Sequence, residues 1–284
     1  MSTPSILVTG ASGAIGSTLV PELLARNATV ATMSRNPAWS LPGARKIIAD
    51  LGDENALRSA LEGIDVAFLN SPSGEDAATL QIRFANLAKQ AGVTKLVLLS
   101  QYGAREVSPV RFLRWHARVE DAVAKLEFDL TVLRPNLFMQ SLLAFAPTIA
   151  NGAFAAPIGI AAVSTLDVRD IAASAATVLT GSGHEGRTYT LTGPRAVTHA
   201  EMAQAIGEAT GRNITFHEIT PDQFAGALQG YLPEWQLAGL VEDYAHYARG
   251  EASDVHTSVA ELTGHEPRDI ADFARDHVAA FGRA

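Results

Sequence analysis

The sequence predicts an α/β fold in which helices cover both faces of a doubly wound parallel sheet. Short apolar runs of strand length alternate with amphipathic stretches of helical length through the first half of the chain. Glycines stand where two of these helices should end, at Gly63 and Gly92. Strands that alternate with helices in this way are buried on both faces, as in a parallel sheet between two helical layers.

The predicted elements follow one another in strand–helix order up to about residue 134. We interpret the apolar runs at 6–9, 29–33, 46–48, 66–70, 95–100 and 129–134 as buried strands. The stretches between them that we interpret as helices are 15–26, 53–62, 76–91 and 109–126. Later segments are predicted as loop and short helix at 136–165, a helix at 168–180, a strand at 188–191 and a helix capping box from Thr198 to Glu201.

Composition excludes several classes of function. The 284-residue chain has no cysteine, which rules out disulfide and thiolate chemistry. Its net charge of −8 argues against a general nucleic-acid binder. No cluster of histidines and carboxylates has the spacing of a metal site, so we predict no metal. No apolar run reaches membrane-spanning length and the N-terminus lacks a basic leader, so we expect a cytoplasmic protein without a membrane partner.

A glycine-rich turn joins the first predicted strand to the first predicted helix. Glycine suits this place because a side chain would block the tight turn and the approach of a pyrophosphate to the backbone. The start of the helix then offers free N–H groups and the positive end of its dipole to the phosphates. Strand, turn and helix stand in the order of a Rossmann-type dinucleotide-binding fold. The residues expected to bind the cofactor here are Gly10, Ser12, Gly13, Ala14, Ile15 and Gly16.

The end of the second predicted strand indicates NADP(H) rather than NAD(H). A site that prefers NAD usually places Asp or Glu here to bind the ribose 2′-hydroxyl, and residues 29–37 contain neither. Arg35 instead offers a positive charge and a fork of N–H donors to a 2′-phosphate, and Ser34 lies beside it in sequence. We therefore predict NADP(H) as the cofactor, bound in part by Ser34 and Arg35.

Three later strand ends are also expected to contact the cofactor, since ligands of such sheets bind outside the carboxyl ends of the strands. Asp50 and Leu51 close the third strand, where adenine would lie. Asn70 closes the fourth, near the ribose and pyrophosphate. Pro135 and Asn136 follow the sixth, near the nicotinamide.

Six segments together resemble the NmrA-like, atypical short-chain dehydrogenase/reductases, close to their extended branch. The resemblance covers most of the chain up to about residue 215. Known members of this family include quinone, azo-dye, triphenylmethane and polyketide-ketone reductases, and others are redox sensors. The matching segments are 10–16, 34–37, 63–66, 133–139, 167–172 and 189–194.

The resemblance implies a Rossmann core and a small C-terminal substrate lobe. The NADP(H)-binding core would span 1–193, with 136–161 contributing loop and short helix to the substrate cleft, and the lobe would span 194–284. Residues 220–250 are rich in aromatics, which fits either core packing or a lid over a flat, apolar substrate. We favour the lid because the segment falls where the lobe of this family closes the cleft. We expect His199 and His217 on the surface.

The helix after the fifth strand departs from the wider superfamily, which uses a Tyr-x-x-x-Lys pair as its acid. Aligned on the Ala-x-Val-Glu that follows, Phe112 stands for the tyrosine and His116 for the lysine. Phe112 cannot donate a proton. The remaining candidates for the catalytic site are Ser100, which ends the fifth strand, Tyr102, whose phenol can donate, and His116, with an ordinary pKa of about 6.5. His116 is more plausible as a ribose contact than as the acid, and a substrate with its own phenol would need no protein acid.

Two functions fit these observations. The first is an NADPH-dependent reductase of a polycyclic aromatic or polyketide ketone, or of a quinone, and the aromatic segment favours it. The second is an NADP(H)-sensing regulatory protein without catalysis. The expected partner of the enzyme is a small aromatic substrate. The sequence leaves the oligomeric state open, with a monomer favoured.

Overall fold

The computed structural model describes residues 4–282. Its strands, β1 to β11 in chain order, are Ser5–Val8, Thr29–Ser34, Arg45–Ile48, Val66–Leu69, Lys95–Leu99, Asp129–Pro135, Ala153–Ala156, Ala162–Val163, Thr188–Leu191, Val197–Thr198 and Thr215–Glu218. Its α-helices, α1 to α12, are Ala14–Ala25, Glu54–Ala60, Ala77–Gln90, Arg111–Ala124, Ala146–Ala150, Val168–Thr180, His199–Thr210, Pro221–Leu228, Glu234–Ala248, Ser258–Thr263, Ile270–Asp276 and Val278–Phe281. A 3-10 helix covers Met139–Phe145.

The chain divides into two compact units. Unit 1 contains the described residues up to Glu106, together with Leu113–Arg134 and Val168–Thr190. Unit 2 contains Val107–Phe112, Pro135–Asp167 and the residues from Leu191 onward. The segments of the two units alternate along the chain, and the predicted division into a core at 1–193 and a lobe at 194–284 stays a prediction.

A seven-stranded sheet, in the order β3-β2-β1-β4-β5-β6-β9, forms the centre of unit 1. The first six strands in this order, from β3 across to β6, each pair in parallel with their neighbours. The order reverses between β1 and β4, as in the dinucleotide-binding sheets that bind their ligand at this switch point. The predicted α/β class, Rossmann-type with a parallel sheet, is confirmed.

Local sequence accounts for the helix boundaries of unit 1. Asp53 caps α2 by accepting a hydrogen bond from the Ala56 N–H at 3.0 Å. Gly63 and Gly92 both have positive φ, of 70° and 90°, so glycine suits the chain reversal after α2 and α3. The first predicted strand, 6–9, and the first predicted helix, 15–26, have the observed lengths but begin one residue later than Ser5–Val8 and Ala14–Ala25, a normal uncertainty of helix and strand ends.

Unit 2 has its own apolar core, built around α7, α11 and the 3-10 helix. Within it β7 pairs in parallel with β11, and β8 pairs antiparallel with β10. The predicted capping box is present at the start of α7, where Thr198 and Glu201 satisfy each other's backbone N–H groups. The prediction of loop and short helix for 136–165 missed β7 and β8. These strands are short and pair with partners distant in sequence, so no local periodicity marks them.

His199 lies in the core of unit 2, so the prediction of a surface residue is wrong. Its side chain is buried, with ring centroids 6.0 Å from Phe154, 5.4 Å from Phe216 and 6.0 Å from Tyr244. Burial lowers the pKa of His199 to about 4. The imidazole is therefore neutral at pH 7 and packs as an aromatic ring. His217 is exposed, as expected.

The aromatic segment 220–250 folds as α8 and α9 with the turn between them. Three of its rings, Phe224, Tyr244 and Tyr247, are buried and contribute to packing in unit 2. Tyr231, in the turn, is 83% exposed. Trp235, at the start of α9, is half-buried, and the lid over a substrate stays a prediction. Among residues 4–282, no helix combines the length and apolar character needed to cross a bilayer.

We predict that His199 makes unit 2 sensitive to acid. Because the folded-state pKa of His199, about 4, lies below its ordinary value of 6.5, the unfolded chain takes up the proton first as pH falls. The contribution of the neutral His199 side chain to the free energy of unfolding is therefore fully present above about pH 6.5. It is lost as pH falls toward 4. His199→Phe should reduce the loss of unfolding free energy between pH 7 and pH 4.5 by about 2–3 kcal/mol.

Urea unfolding at the two pH values measures this difference. His217→Phe, at an exposed position of the same unit, is the matched control and should leave the pH dependence unchanged. An equal loss of stability in His199→Phe and the native chain would contradict the prediction.

Candidate cofactor and active site

The predicted phosphate-binding turn lies at the carboxyl end of β1 and leads into α1. Gly13 precedes the helix in extended backbone, and no side chain caps the helix start. The first N–H groups of α1, beginning at Ala14 and Ile15, therefore receive no side-chain acceptor from the protein. This is the arrangement in which a helix N-terminus binds a phosphate.

The three glycines of the turn are needed for different reasons. Gly10 has a φ of +59°, and a Cβ there would lie 2.9 Å from the Asn70 carbonyl oxygen. A Cβ on Gly16 would collide with the carbonyl oxygen of Gly10 and with Ala11. Gly13 has an ordinary φ of −81°, and a Cβ there would meet only the Gly10 oxygen, at 3.3 Å. The protein's own fold therefore explains Gly10 and Gly16, whereas Gly13 leaves open the space that a dinucleotide phosphate would occupy.

Two pairs of predicted cofactor residues lie together beside this turn. The Ser34 hydroxyl donates to the Ser12 hydroxyl at 3.1 Å and so joins the end of β2 to the turn. Arg35 Nε lies 3.6 Å from Asp50 Oδ2, and these side chains are 69% and 47% exposed. An exposed ion pair of this length contributes little. Arg35 can thus reorient toward a 2′-phosphate at small expense, and Leu51, next to Asp50, is buried.

The strand ends at the switch point are joined through Thr9, which sequence analysis missed. The buried Thr9 hydroxyl donates to the Asn70 carbonyl at 2.7 Å and accepts from the Asn70 N–H at 2.8 Å. Thr9 directly follows the apolar run of β1, and a buried hydroxyl at a strand end is the signal that marks it. Asn70 is thereby fixed against Gly10 at the edge where we expect the ribose and pyrophosphate.

Pro135 and Asn136, at the end of β6, belong to unit 2 and are both buried. The Asn136 side-chain amide donates to the Ser164 hydroxyl at 2.8 Å and to the Ala252 carbonyl at 2.9 Å. Its side-chain oxygen accepts from the Leu137 N–H at 2.8 Å. The amide of Asn136 therefore links three segments of unit 2, and its predicted contact with the nicotinamide stays a prediction.

Ser100 and Tyr102 lie at the end of β5 in unit 1. Ser100 is 4% exposed, and its hydroxyl donates to Glu120 on α4. Glu120 is also paired with Arg134 on β6, whose Nε lies 3.0 Å from Glu120 Oε1. Sequence analysis missed the pairing of Glu120 with Arg134. The signal that could have indicated it is a charged residue within an otherwise apolar strand, as at Arg134. Tyr102 is half-buried in the loop after Ser100.

His116 is half-buried on α4. Burial lowers its pKa to about 4, from an ordinary value of 6.5. At pH 7 the imidazole is therefore neutral in all but about a thousandth of the molecules. A neutral imidazole offers no cationic proton to an alkoxide, so this environment favours the ribose-contact interpretation over the acid.

Phe112, which stands where the superfamily has its tyrosine, packs against α9 within unit 2. A Cβ on Gly239 would overlap the Phe112 ring, with the para carbon Cζ nearest. The Phe112 ring also meets Trp235 edge-on, with centroids 6.2 Å apart. Next to it, the Arg111 guanidinium donates to Glu242 Oε1 at 2.7 Å. The para position, where a tyrosine would have its hydroxyl, is therefore the part of the ring nearest to Gly239 on α9.

Comparison with known proteins gives matches over nearly the whole chain. The model of the NmrA-like family matches residues 2–274. An NAD(P)H azoreductase from Xenophilus azovorans is 35% identical over 98% of this chain and all of its own. A (4-alkanoyl-5-oxo-2,5-dihydrofuran-3-yl)methyl phosphate reductase from Streptomyces griseus is 35% identical over 97% of this chain and 99% of its own.

A solved structure has the same fold. The NADPH complex of the quinone oxidoreductase QOR2 from Escherichia coli superimposes with a TM-score of 0.87 and 28% identity, covering 95% of this chain and 99% of its own. Its sequence identity lies in the same range as that of the curated relatives. The fold and the reductase class are therefore shared over the full length rather than over the dinucleotide-binding half alone.

Arg35 should determine the preference for NADPH. Arg35→Ala removes a charge-assisted contact to the 2′-phosphate, so the Kd for NADPH should rise about tenfold to a hundredfold while the Kd for NADH stays nearly unchanged. Isothermal titration with each cofactor measures both constants. Arg45→Ala, an exposed arginine at the start of β3, is the control with the same change of charge. Equal weakening of both cofactors would remove Arg35 from this role.

Packing at Phe112 should resist restoration of the tyrosine. Phe112→Tyr adds a hydroxyl against Gly239 and Gly239→Ala adds a methyl against the ring, so each should lower the free energy of unfolding by about 1–3 kcal/mol. Phe112→Tyr should also leave turnover no faster. Gly226→Ala on α8 is the control, since its Cβ would meet nothing within 4 Å and should stabilise the helix. A Phe112→Tyr protein of native stability would show that the para position is free.

Proposed function

Because the chain belongs to the NmrA-like family, we propose that it reduces a polycyclic aromatic or polyketide ketone, or a quinone, with hydride from NADPH. The chain is an NAD(P)H-dependent oxidoreductase, like the relatives that match nearly its whole length at 30–35% identity. The choice of substrate depends on how this site handles the proton.

The observation that supports the substrate class is the packing of Phe112 on Gly239. Hydride addition to an ordinary ketone forms a strongly basic alkoxide, which general acid catalysis helps by about a hundredfold to ten-thousandfold. Hydride addition to a quinone forms a phenolate-like anion, and phenols have a pKa near 10. Such an anion is a much weaker base and takes its proton from water. A ketone flanked by a phenol is similarly helped by its own hydroxyl.

Residues of unit 1 would bind the cofactor that supplies the hydride. Arg35 and Ser34 would hold the 2′-phosphate, with Asp50 and Leu51 beside the adenine. The turn from Gly10 to Gly16, with the N-terminus of α1, would hold the pyrophosphate. The protein's part in the reaction would then be to orient the two reactants and to exclude water from between them.

Tyr102 is the protein side chain best suited to give a proton where the substrate needs one. It lies two residues after Ser100, half-buried, and its phenol is a donor at neutral pH. His116 is neutral at pH 7 because of its low pKa. For quinones and phenol-flanked ketones we expect neither side chain to be essential.

A substrate panel tests the proposal. NADPH oxidation should be measured with a naphthoquinone, a polycyclic ketone flanked by a phenol, the methyl ether of that ketone, and cyclohexanone. The first two should be reduced, and the methyl ether and cyclohexanone should be at least about a hundredfold slower in kcat/KM. Gly13→Val, which fills the phosphate space, is the control that links activity to the turn.

Two results would contradict the proposal. Equal rates for the phenol-flanked ketone and its methyl ether would show that a protein acid serves the site. Tight NADPH binding without turnover of any compound would instead favour the regulatory function.

A further inference from the structure

Ser100 has both of its hydrogen-bond donors engaged within unit 1. Its backbone N–H donates to the Leu133 carbonyl at 2.8 Å, which fixes the end of β5 against β6. Its hydroxyl donates to Glu120 Oε1 on α4. A serine has one hydroxyl proton and two acceptor positions on its oxygen. Toward any ligand at the end of β5, Ser100 Oγ therefore offers acceptor capacity only.

Arg134 keeps Glu120 in this role. The guanidinium contacts both carboxylate oxygens, with Nε 3.0 Å from Oε1 and Nη2 2.5 Å from Oε2. The Glu120 and Arg134 side chains are 11% and 30% exposed, so water screens this pair poorly. A guanidinium stays charged at every physiological pH. The two contacts thus hold Glu120 Oε1 where it accepts the Ser100 proton.

We propose that Glu120 is a positioning residue that fixes Ser100 Oγ as a hydrogen-bond acceptor for a hydroxyl or amide N–H of the bound cofactor or substrate. The proposal rests on the reductase function proposed above. Ser100 would then accept a hydrogen bond from the ligand, whereas a general acid donates one. A ketone oxygen or an alkoxide can only accept hydrogen bonds. Such an oxygen would have to take the Ser100 proton away from Glu120.

The strength of the two bonds decides between these alternatives. A hydrogen bond to a charged group is roughly twice as strong as one between neutral groups. A neutral ketone oxygen therefore does not displace Glu120 from the Ser100 hydroxyl. A ligand hydroxyl or carboxamide, by contrast, donates to Ser100 Oγ without breaking any bond of this network, and polarisation along the chain strengthens the new bond.

Binding measurements with Ser100→Ala separate the two sources of the donor. One arm titrates NADPH into each protein. The other titrates 1,4-naphthoquinone and 6-hydroxy-1,4-naphthoquinone, whose hydroxyl is too far from either carbonyl to bond it internally, into the NADP⁺ complex. The cysteine-free chain permits this without thiol adducts. We expect Ser100→Ala to lose about three- to tenfold in affinity for NADPH, or in the ratio of 6-hydroxynaphthoquinone to naphthoquinone affinity. The arm that changes identifies the donor.

Glu120→Gln tests the positioning role. It removes the charge that holds the Ser100 proton, so the affinity or affinity ratio that falls in Ser100→Ala should fall in Glu120→Gln as well. Ser100→Thr keeps the hydroxyl and should retain the native value. Asp121→Asn is the matched control, since Asp121 is the exposed neighbour of Glu120 on α4. It should change neither quantity. Because the ratio compares two ligands on one protein, a general loss of stability does not move it.

Three results would overturn the proposal. A drop in kcat of about a hundredfold or more in Ser100→Ala, with affinities unchanged, would make Ser100 the general acid. Unchanged affinities, ratio and kcat would leave Ser100 a strand-end residue. A loss in Ser100→Ala that Glu120→Gln does not share would remove Glu120 from the role. Failure of the reductase function shows separately, as absence of turnover in the native protein, and both binding arms still apply then.

Discussion

The hydroxyl of Thr9 joins the carboxyl ends of β1 and β4, and the geometry of the cofactor turn depends on that contact. It bonds both the carbonyl and the N–H of Asn70, at 2.7 and 2.8 Å. The chain must then leave β1 past Asn70 without a side chain, which Gly10 permits with its positive φ. Gly16 packs on the Gly10 carbonyl and so sets where α1 begins. The free N–H groups of that helix consequently face the switch point of the sheet.

At the same edge of the sheet, the carboxyl ends of β5 and β6 carry polar side chains, whereas the interior of the sheet is apolar. Ser100, Glu120 and Arg134 join the ends of β5 and β6 to α4 through one partly buried network. Buried polar groups are tolerated when each finds a partner, and a network of this kind fixes its members in one arrangement. The side chains nearest the ends of these strands are thus held by charge rather than by loop conformation.

In unit 2, the position that the resemblance aligns with the tyrosine of the superfamily is tightly packed. The Phe112 ring and the Gly239 backbone fit because one has no hydroxyl and the other no side chain. The Arg111–Glu242 pair secures α9 beside them. In the function that we propose, this packing is the reason why the chain reduces electrophiles whose reduced form is a weak base.

The sequence by itself determined the order of strands and helices, the glycine turn and the basic residue at the end of β2. These features act over a few residues: apolar periodicity, a tight turn and a strand end are local. The doubly wound parallel sheet also followed, because parallel strands joined by helices have few right-handed arrangements.

Only the tertiary structure decided the features that join distant segments. His199 is polar in sequence but is buried between rings from β7, β11 and α9. The strands β7 and β8 exist because their partners β11 and β10 cover them. The sequence identified Ser100 and Phe112 as positions of interest. It did not show in which direction the Ser100 hydroxyl forms its hydrogen bond, or what the Phe112 ring contacts. Whether a hydroxyl donates or accepts, and whether a ring has room for one, depends on neighbours that the fold brings together and that no local pattern specifies.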